Sequence, residues 1–167
     1  AAIDAGVYSV MVGHSAFPAG DDTMIDDEYI PATLSYKIVT ELLKEKMGFK
    51  GAVVTDGINM RGLTMFYTGG KLYVELLRAG NDLILGPMTD NYIDEVEKAV
   101  LAGDLPEERI NDACQRVLDM KEKLGLFRDD YICGGGMTDE LREETAKISK
   151  ERIIALKPWI SKITANR

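Results

Sequence analysis

The sequence predicts an α/β protein in which short apolar strands alternate with amphipathic helices. Three runs rich in β-branched and aliphatic residues carry the strand pattern, at 7–14, 51–56 and 80–86. Apolar residues spaced three and four apart indicate helices at 35–47, 71–78, 90–102 and 106–124. This alternation is typical of βα units, whose strands form a parallel sheet covered by helices.

Local signals mark where these helices begin and end. Ser35 can cap the helix that follows it, and Gly48 is suited to the left-handed position after that helix. Pro106 suits the first turn of the helix predicted at 106–124. A linker is predicted at 128–136, where three glycines occur together, and a final helix at 141–156. The segment 15–31 is irregular and acidic, and we expect a solvated loop there, because its carboxylates lack the spacing of a calcium loop.

Bulk composition excludes several classes of partner. The 20 basic and 28 acidic side chains give a net charge of 20 − 28 = −8, which repels phosphate backbones, and no basic run interleaves with aromatics. Nucleic acid is therefore not an expected partner. No apolar stretch approaches the roughly 20 residues needed to span a bilayer. The two cysteines are too few for a metal-site pattern, and we expect both to be free thiols.

Two of the strand patterns end in polar side chains suited to chemistry. Asp56 follows the second pattern, and Gly57 behind it permits a sharp turn beside the acid. His14, the only histidine in the chain, ends the first pattern. Because α/β sheets and barrels place their chemistry at the carboxyl ends of strands, Asp56 is a candidate catalytic acid. From the residues alone, Asp56 can equally cap the next helix, and His14 can be structural.

The residues around Asp56 form a longer motif. Val53-Val54-Thr55-Asp56 is followed by Asn59-Met60 and Gly62 and preceded by Gly48-Phe49 and Gly51. This segment resembles the nucleophile segment of family 3 glycoside hydrolases, most closely their bacterial β-N-acetylglucosaminidase branch. Three further stretches are similar to segments of that family: Pro31 to Ser35, Ala79 to Leu85, and Arg109 to Phe127.

The resemblance implies a reaction and a set of site residues. In that family the aspartate at the position of Asp56 attacks the anomeric carbon, and we expect His14 and Met60 to line the sugar site. The implied reaction is retaining hydrolysis of a terminal β-linked sugar, with N-acetylglucosamine as the first expectation and a β-glucosidase as the alternative. Neither a metal nor a cofactor is expected. The general acid of the family lies in regions that have no counterpart here, so we expect this chain alone to be inactive.

The resemblance also implies an architecture. Residues 1–127 correspond to the last three βα units of a (β/α)8 TIM barrel, and residues 128–167 to a linker and helix leading towards a second domain. The chain begins as though entered in mid-fold, since neither an initiator Met nor a signal peptide precedes the first strand pattern. A partial barrel exposes strand edges, so we expect it to associate with the missing amino-terminal half of the barrel or with another copy.

Two readings from other classes remain open. A phosphorelay receiver domain also has an apolar strand that ends in an aspartate, and would be phosphorylated on Asp56. A receiver, however, requires a pair of acids after its first strand and a lysine after a late one, where this chain has Gly13-His14 and Gly86-Pro87. The other reading is a non-catalytic α/β module that retains Asp56.

Overall fold

The computed structural model describes residues 1–86 and 92–127, together with residue 147. The chain divides into two compact units, Ala1–Lys123 and Leu124–Arg167. The elements discussed below belong to the first unit. The predicted linker at 128–136 and the predicted helix at 141–156 lie outside the described residues, apart from residue 147.

The described residues of the first unit form four short strands and six helical segments. The strands are β1 (Ser9–Val12), β2 (Met24–Ile25), β3 (Glu28–Tyr29) and β4 (Ala52–Thr55). The helical segments are a 3₁₀-helix (Ala32–Leu34), a π-helix (Lys37–Lys46), α1 (Arg61–Thr64), α2 (Gly69–Ala79), α3 (Tyr92–Leu101) and α4 (Glu107–Lys123). None of the helices in the described part of the chain is long and apolar enough to cross a membrane.

The main sheet is parallel, as the alternation of strand and helix patterns predicts. β1 pairs with β4 in register from Ser9 opposite Ala52 to Val12 opposite Thr55. On the other side of β4, the bridge between Val54 and Leu83 is also parallel. The three segments therefore lie side by side in chain order, each followed by helix, which confirms the α/β class.

The strand predicted at 80–86, the third strand pattern in the sequence, is shorter in the structure. The pattern predicts a strand over 80–86, but only Leu83 forms a bridge to β4. The amides of Asp82 and Leu83 both donate to the carbonyl of Val53, so two residues share one acceptor and the regular ladder does not extend towards residue 80. Leu85 still approaches the residues beyond β4, because its carbonyl accepts the amide hydrogen of Ile58 at 2.9 Å.

The helix boundaries follow the sequence signals closely. The Ser35 hydroxyl accepts the amide hydrogen of Ile38 at 3.1 Å, which confirms the predicted cap. Gly48 has φ +70°, the left-handed conformation expected after the helix. The helix between them is a π-helix, and the amide of Met47 donates to the carbonyl of Leu42, five residues back, at 2.9 Å. The apolar spacing does not separate this form from an α-helix, since both place residues four apart on one face.

The segment 15–31 is more ordered than its composition predicts. β2 and β3 form an antiparallel hairpin, with Asp26 and Asp27 at the turn in left-handed conformations (φ 50° and 63°). A two-residue turn of this kind matches the twist of paired strands, and aspartate is among the few residues that tolerate it. Asp21 is only 4% exposed, so the expectation of a wholly solvated loop is wrong at this position.

Helices cover one face of the main sheet. Val39, Phe49 and Val53 form a buried cluster against which Val10 and Val12 pack. A second cluster contains Ile58, Leu63, Leu72, Tyr73 and Leu76, with Ile84 packed against it. Side chains alternate across a strand, so Met11 and Val54 point to the opposite face. Met11 is 60% exposed there, which shows that the described part of the first unit leaves this face open.

An ion-pair network holds the amino end of the sheet. The buried Asp82 carboxylate accepts from Lys44 Nζ at 2.7 Å, from the Val53 amide at 2.8 Å, and from Arg109. Burial lowers the pKa of Lys44, and the bond to Asp82 opposes that effect. Arg116 adds bonds to main-chain carbonyls before β4, at 3.3 and 3.2 Å. This network fixes β4 at the end away from Asp56.

Candidate active site

Asp56 lies immediately after β4, at the carboxyl end of the parallel sheet. Its amide donates to the carbonyl of Val12 at 3.1 Å, which ties it to the end of β1. Its Oδ1 accepts the amide hydrogen of Gly57 at 2.7 Å. Its Oδ2 makes no hydrogen bond to any residue within 1–86 and 92–127. The side chain is half-buried and, two residues after Val54, is on the sheet face that the helices leave open.

The turn after Asp56 is bonded to the segment 83–86, on the far side of β4 from β1. The fully buried Thr55 hydroxyl accepts the amide hydrogen of Leu85 at 3.0 Å. The amide of Ile58 donates to the carbonyl of Leu85. Gly86 has φ +147°, and a side chain there would lie 2.7 Å from a side-chain carbon of Ile58, so this close approach requires glycine.

His14 reaches across from the end of β1 to the same turn. Its Nε2 lies 3.0 Å from the carbonyl oxygen of Gly57, and its Nδ1 lies 2.8 Å from the hydroxyl of Thr33. A carbonyl only accepts hydrogen bonds, so this contact is a hydrogen bond in the tautomer that carries a proton on Nε2. Thr33 is fully buried, and its hydroxyl also lies 2.7 Å from the carbonyl of Gly13. The ring of His14 is thus held on both sides by protein groups.

Met60 lies on the other side of the turn, directly before α1. Met60 is 48% exposed, and its Sδ would lie 3.9 Å from a Cβ atom if Gly57 carried one. At Gly62, in α1, an added carbon would lie 3.1 Å from Cβ of His14. The structure therefore brings Asp56, Met60 and His14 around one glycine, Gly57.

The structure adds Thr33 to the residues that sequence reasoning identified. Thr33 lies in the 3₁₀-helix, 19 residues after His14, and its contact with the ring depends on how the loop 15–31 folds. The segment Pro31 to Ser35 was recognisable as family-like, but nothing in it indicates a partner for His14. Within the residues that the structure describes, no group of three or more His, Cys, Asp or Glu side chains is arranged to hold a metal ion.

A separate cleft of about 480 Å³ opens at the opposite, amino end of the sheet. Tyr8, Phe49, Lys50 and Arg116 are among its lining residues, and Asp56 and His14 are not. Its lining mixes apolar residues with charged ones, among them Asp119 of α4, and includes none of the predicted site residues.

The geometry at the turn around Asp56 suits a nucleophile or a base. One carboxylate oxygen is held by a main-chain amide, and the other is left open at the sheet edge. The neighbouring strand ends carry no acid, since β1 is followed by Gly13-His14 and the third segment ends in Leu85-Gly86. Within residues 1–86 and 92–123, the first unit is thus an α/β unit in which Asp56 is the one carboxylate that directly follows a strand of the parallel sheet.

Comparison with known families identifies the family of the chain. The model of the glycosyl hydrolase family 3 N terminal domain matches residues 1–120. The chain belongs to glycoside hydrolase family 3, as the motif around Asp56 predicts.

Individual relatives are named as glycosidases. The chain is 29% identical, over its whole length, to 32% of a beta-N-acetylglucosaminidase/beta-glucosidase from Cellulomonas fimi. It is 28% identical, over 69% of its length, to 22% of beta-hexosaminidase A from Pseudoalteromonas piscicida. A solved structure of a family 3 beta-N-acetylglucosaminidase from Paenibacillus sp. str. FPU-7 matches with 33% identity and a TM-score of 0.69, covering 90% of this chain and 29% of that one. The chain thus spans about a third or less of the length of these relatives.

Proposed function

We propose that this chain is part of a glycosidase that hydrolyses a terminal β-linked sugar with retention of configuration, and that Asp56 is its nucleophile. The observation that carries the proposal is the position of Asp56. It follows β4, which lies between β1 and the segment that contains Leu83, and its Oδ1 accepts the Gly57 amide hydrogen while Oδ2 has no hydrogen bond to a described residue. An oriented, ionised carboxylate is what the first step of such a reaction requires.

The reaction requires two steps and two groups. In the first step, Asp56 Oδ2 forms a bond to the anomeric carbon as the glycosidic bond breaks, and an acid gives a proton to the leaving oxygen. In the second step, water displaces Asp56 after giving a proton to the same group, now acting as a base. We place that acid/base outside these 167 residues, because the regions that carry it in the family this chain resembles have no counterpart in the sequence.

The architecture proposed is the end of a (β/α)8 barrel. Residues 1–127 would supply its last three βα units, and residues 128–167 would lead towards a second domain. Three parallel segments in chain order support this, with helices on one face and an open apolar face on the other, where Met11 and Leu85 are 60% and 53% exposed. In a barrel that face is the interior. We propose that the other strands of the barrel, in the missing half or in a second copy, cover it.

The proposed substrate is a terminal β-linked N-acetylglucosamine. Met60 would line the sugar site through its exposed thioether, and His14 through the carbon edge of its ring, because both ring nitrogens already bind protein groups. The names of the relatives support this sugar, and the double name of the Cellulomonas fimi protein keeps β-glucoside as the second candidate.

Kinetics on the complete barrel protein that contains this chain tests the proposal. We expect it to hydrolyse an aryl β-N-acetylglucosaminide with a higher kcat/KM than the matching aryl β-glucoside. Asp56→Asn should lose turnover by orders of magnitude, because the amide is a poor nucleophile of nearly the same shape. Asp22→Asn is the matched control, since the side chain of Asp22 is 84% exposed and outside the site. An Asp56→Asn variant with wild-type turnover would refute the role of Asp56.

The same experiment separates the sugars and the role of the isolated chain. A higher kcat/KM for the glucoside would replace N-acetylglucosamine with glucose and leave the mechanism standing. The 167-residue chain alone should show no turnover of either substrate. Turnover by that chain that Asp56→Asn abolishes would show that its acid/base lies within these residues.

A further inference from the structure

The sequence and the resemblance leave His14 with a place near the sugar but no action on the chemistry. The structure shows something more specific. His14 does not hydrogen-bond the Asp56 carboxylate in the described part of the chain. It instead binds the residue next to it, through Nε2 and the carbonyl of Gly57 at 3.0 Å.

We propose that His14 is a positioning residue, which orients the Asp56 carboxylate by holding the Gly57 main chain. Gly57 is the residue whose amide hydrogen is bonded to Asp56 Oδ1, at 2.7 Å. Glycine is the most mobile residue in a main chain, so the orientation of Gly57 depends on its contacts. The Met60 amide donates to the Gly57 carbonyl at 3.2 Å, and the Ile58 amide of the same peptide unit donates to Leu85 at 2.9 Å. His14 adds the bond that ties this peptide to the end of β1. The bond from His14 anchors the other end of the same residue.

Two further contacts make His14 a rigid anchor. The Thr33 hydroxyl, at 2.8 Å from Nδ1, fixes the rotation of the ring, and Thr33 itself is fully buried. Gly62 of α1 lies so close to His14 that a side-chain carbon there would be 3.1 Å from Cβ of His14. The Asp56 amide is independently bonded to Val12. Strand β1 therefore holds the Asp56 turn at two points, one before the carboxylate and one after it.

The consequence for chemistry is a carboxylate with one defined free oxygen. With Oδ1 held by the Gly57 amide, the position of Oδ2 is fixed as well, because the two oxygens belong to one planar group. A displacement of about 1 Å at a reacting group can cost about 100-fold in rate, without any contact between the supporting residue and the substrate. This consequence for rate rests on the proposed function. The orienting contact itself does not.

Nuclear magnetic resonance on the 167-residue protein tests the contact directly. His14 is the only histidine, so its ring signals need no assignment by mutation. We expect the nitrogen spectrum to show a proton on Nε2. A neutral ring with its proton on Nδ1 alone would overturn the proposal, since Nε2 could not then donate to Gly57. This measurement requires no variant and so does not depend on whether a variant folds.

Two variants test the orienting effect. His14→Gln keeps a donor at the distance of Nε2, whereas His14→Phe keeps a ring without donors. The amide proton of Gly57 reports the bond to Asp56 Oδ1, and we expect it in the hydrogen-bonded range for the wild type and His14→Gln but upfield of it for His14→Phe. The same Gly57 amide shift in all three proteins would overturn the proposal.

Kinetics in the complete barrel protein tests the consequence. We expect His14→Phe to slow the formation of the sugar adduct on Asp56 by about 10- to 100-fold with KM little changed, and His14→Gln to recover most of that loss. Equal rates for the two variants would overturn the role in catalysis. If the wild-type protein forms no adduct on Asp56, the proposed function fails. The Gly57 amide then still decides whether His14 orients the carboxylate.

Discussion

The hydrogen bonds of Asp21 allow a quantitative test of how the loop 15–31, which precedes Thr33, is folded. It is 4% exposed, and its carboxylate accepts from Thr23 Oγ1 at 2.7 Å, from Lys37 Nζ at 2.9 Å, and from the hydroxyl of Ser35. Burial by itself raises the pKa of Asp21, but these hydrogen bonds outweigh it and lower the pKa from 3.8 to about 2. Asp21 thereby ties the acidic loop to the start of the π-helix, beside the 3₁₀-helix in which Thr33 lies.

The pKa of Asp21 converts into a free energy of unfolding. At 1.36 kcal/mol for each pKa unit, a change from 3.8 to about 2 corresponds to about 2 kcal/mol. Because the pKa is lower in the folded state than in the unfolded state, this stabilisation is fully present above pH 3.8. It is lost as the pH falls from 3.8 towards 2. An asparagine at this position has no such pH dependence.

Urea unfolding of the wild type and Asp21→Asn between pH 6 and pH 2 measures this effect. We expect the difference between their unfolding free energies to shrink by about 2 kcal/mol over that range. Asp22→Asn is the matched control in the same loop, because its side chain is 84% exposed, and its difference from the wild type should stay nearly constant. An Asp21→Asn difference that does not change with pH would refute the assignment of Asp21 as a buried, hydrogen-bonded carboxylate.

Two further predictions concern the ends of the main sheet. Asp82→Asn should lower the free energy of unfolding by about 3–5 kcal/mol in urea, since it removes the buried charge that Lys44 faces at 2.7 Å. Glu95→Gln, which breaks an exposed ion pair with Lys98, should change it little, and equal effects of the two variants would contradict the buried network. Gly51→Ala should lower the free energy of unfolding by about 1–3 kcal/mol, because a methyl group there would overlap a main-chain oxygen. At Gly13 a methyl group would meet nothing within 4 Å, so Gly13→Ala is the control, and equal stability of the two variants in urea unfolding would contradict this packing.

Much of the fold was predictable because its signals are local. The strand before Asp56, the helix cap at Ser35 and the left-handed Gly48 each depend on residues near them in the chain, and the structure has all three. The hairpin of β2 and β3 was not predictable from apolar alternation, because two residues are too few to alternate. The third strand was overestimated because side-chain and main-chain bonds at Asp82, absent from any pattern, interrupt its ladder.

The site was predictable to the extent that parallel strands impose it. Asp56 and His14 end neighbouring strands, and such ends meet at one edge of the sheet. The contacts that hold His14 were not predictable, because each depends on the approach of residues distant in sequence. Thr33 lies beside His14 because of how the loop 15–31 folds, and the carbonyl of Gly57 faces His14 because of the conformation of the turn after β4. A buried threonine and a main-chain oxygen leave no distinctive pattern in a sequence.

Covalent trapping is the most direct test of the central claim, that Asp56 is a glycosidase nucleophile. The proposed complete barrel protein would be incubated with two slow substrates, a 2-fluoro glycosyl fluoride and a 5-fluoro glycosyl fluoride that keeps the 2-acetamido group, then digested and mapped by mass spectrometry. We predict a sugar adduct on the peptide that contains Asp56, located on that side chain by fragmentation and absent from Asp56→Asn. A folded protein that remains unlabelled at Asp56 would contradict the claim, and acetyl phosphate would then test Asp56 as a phosphorylated receiver residue.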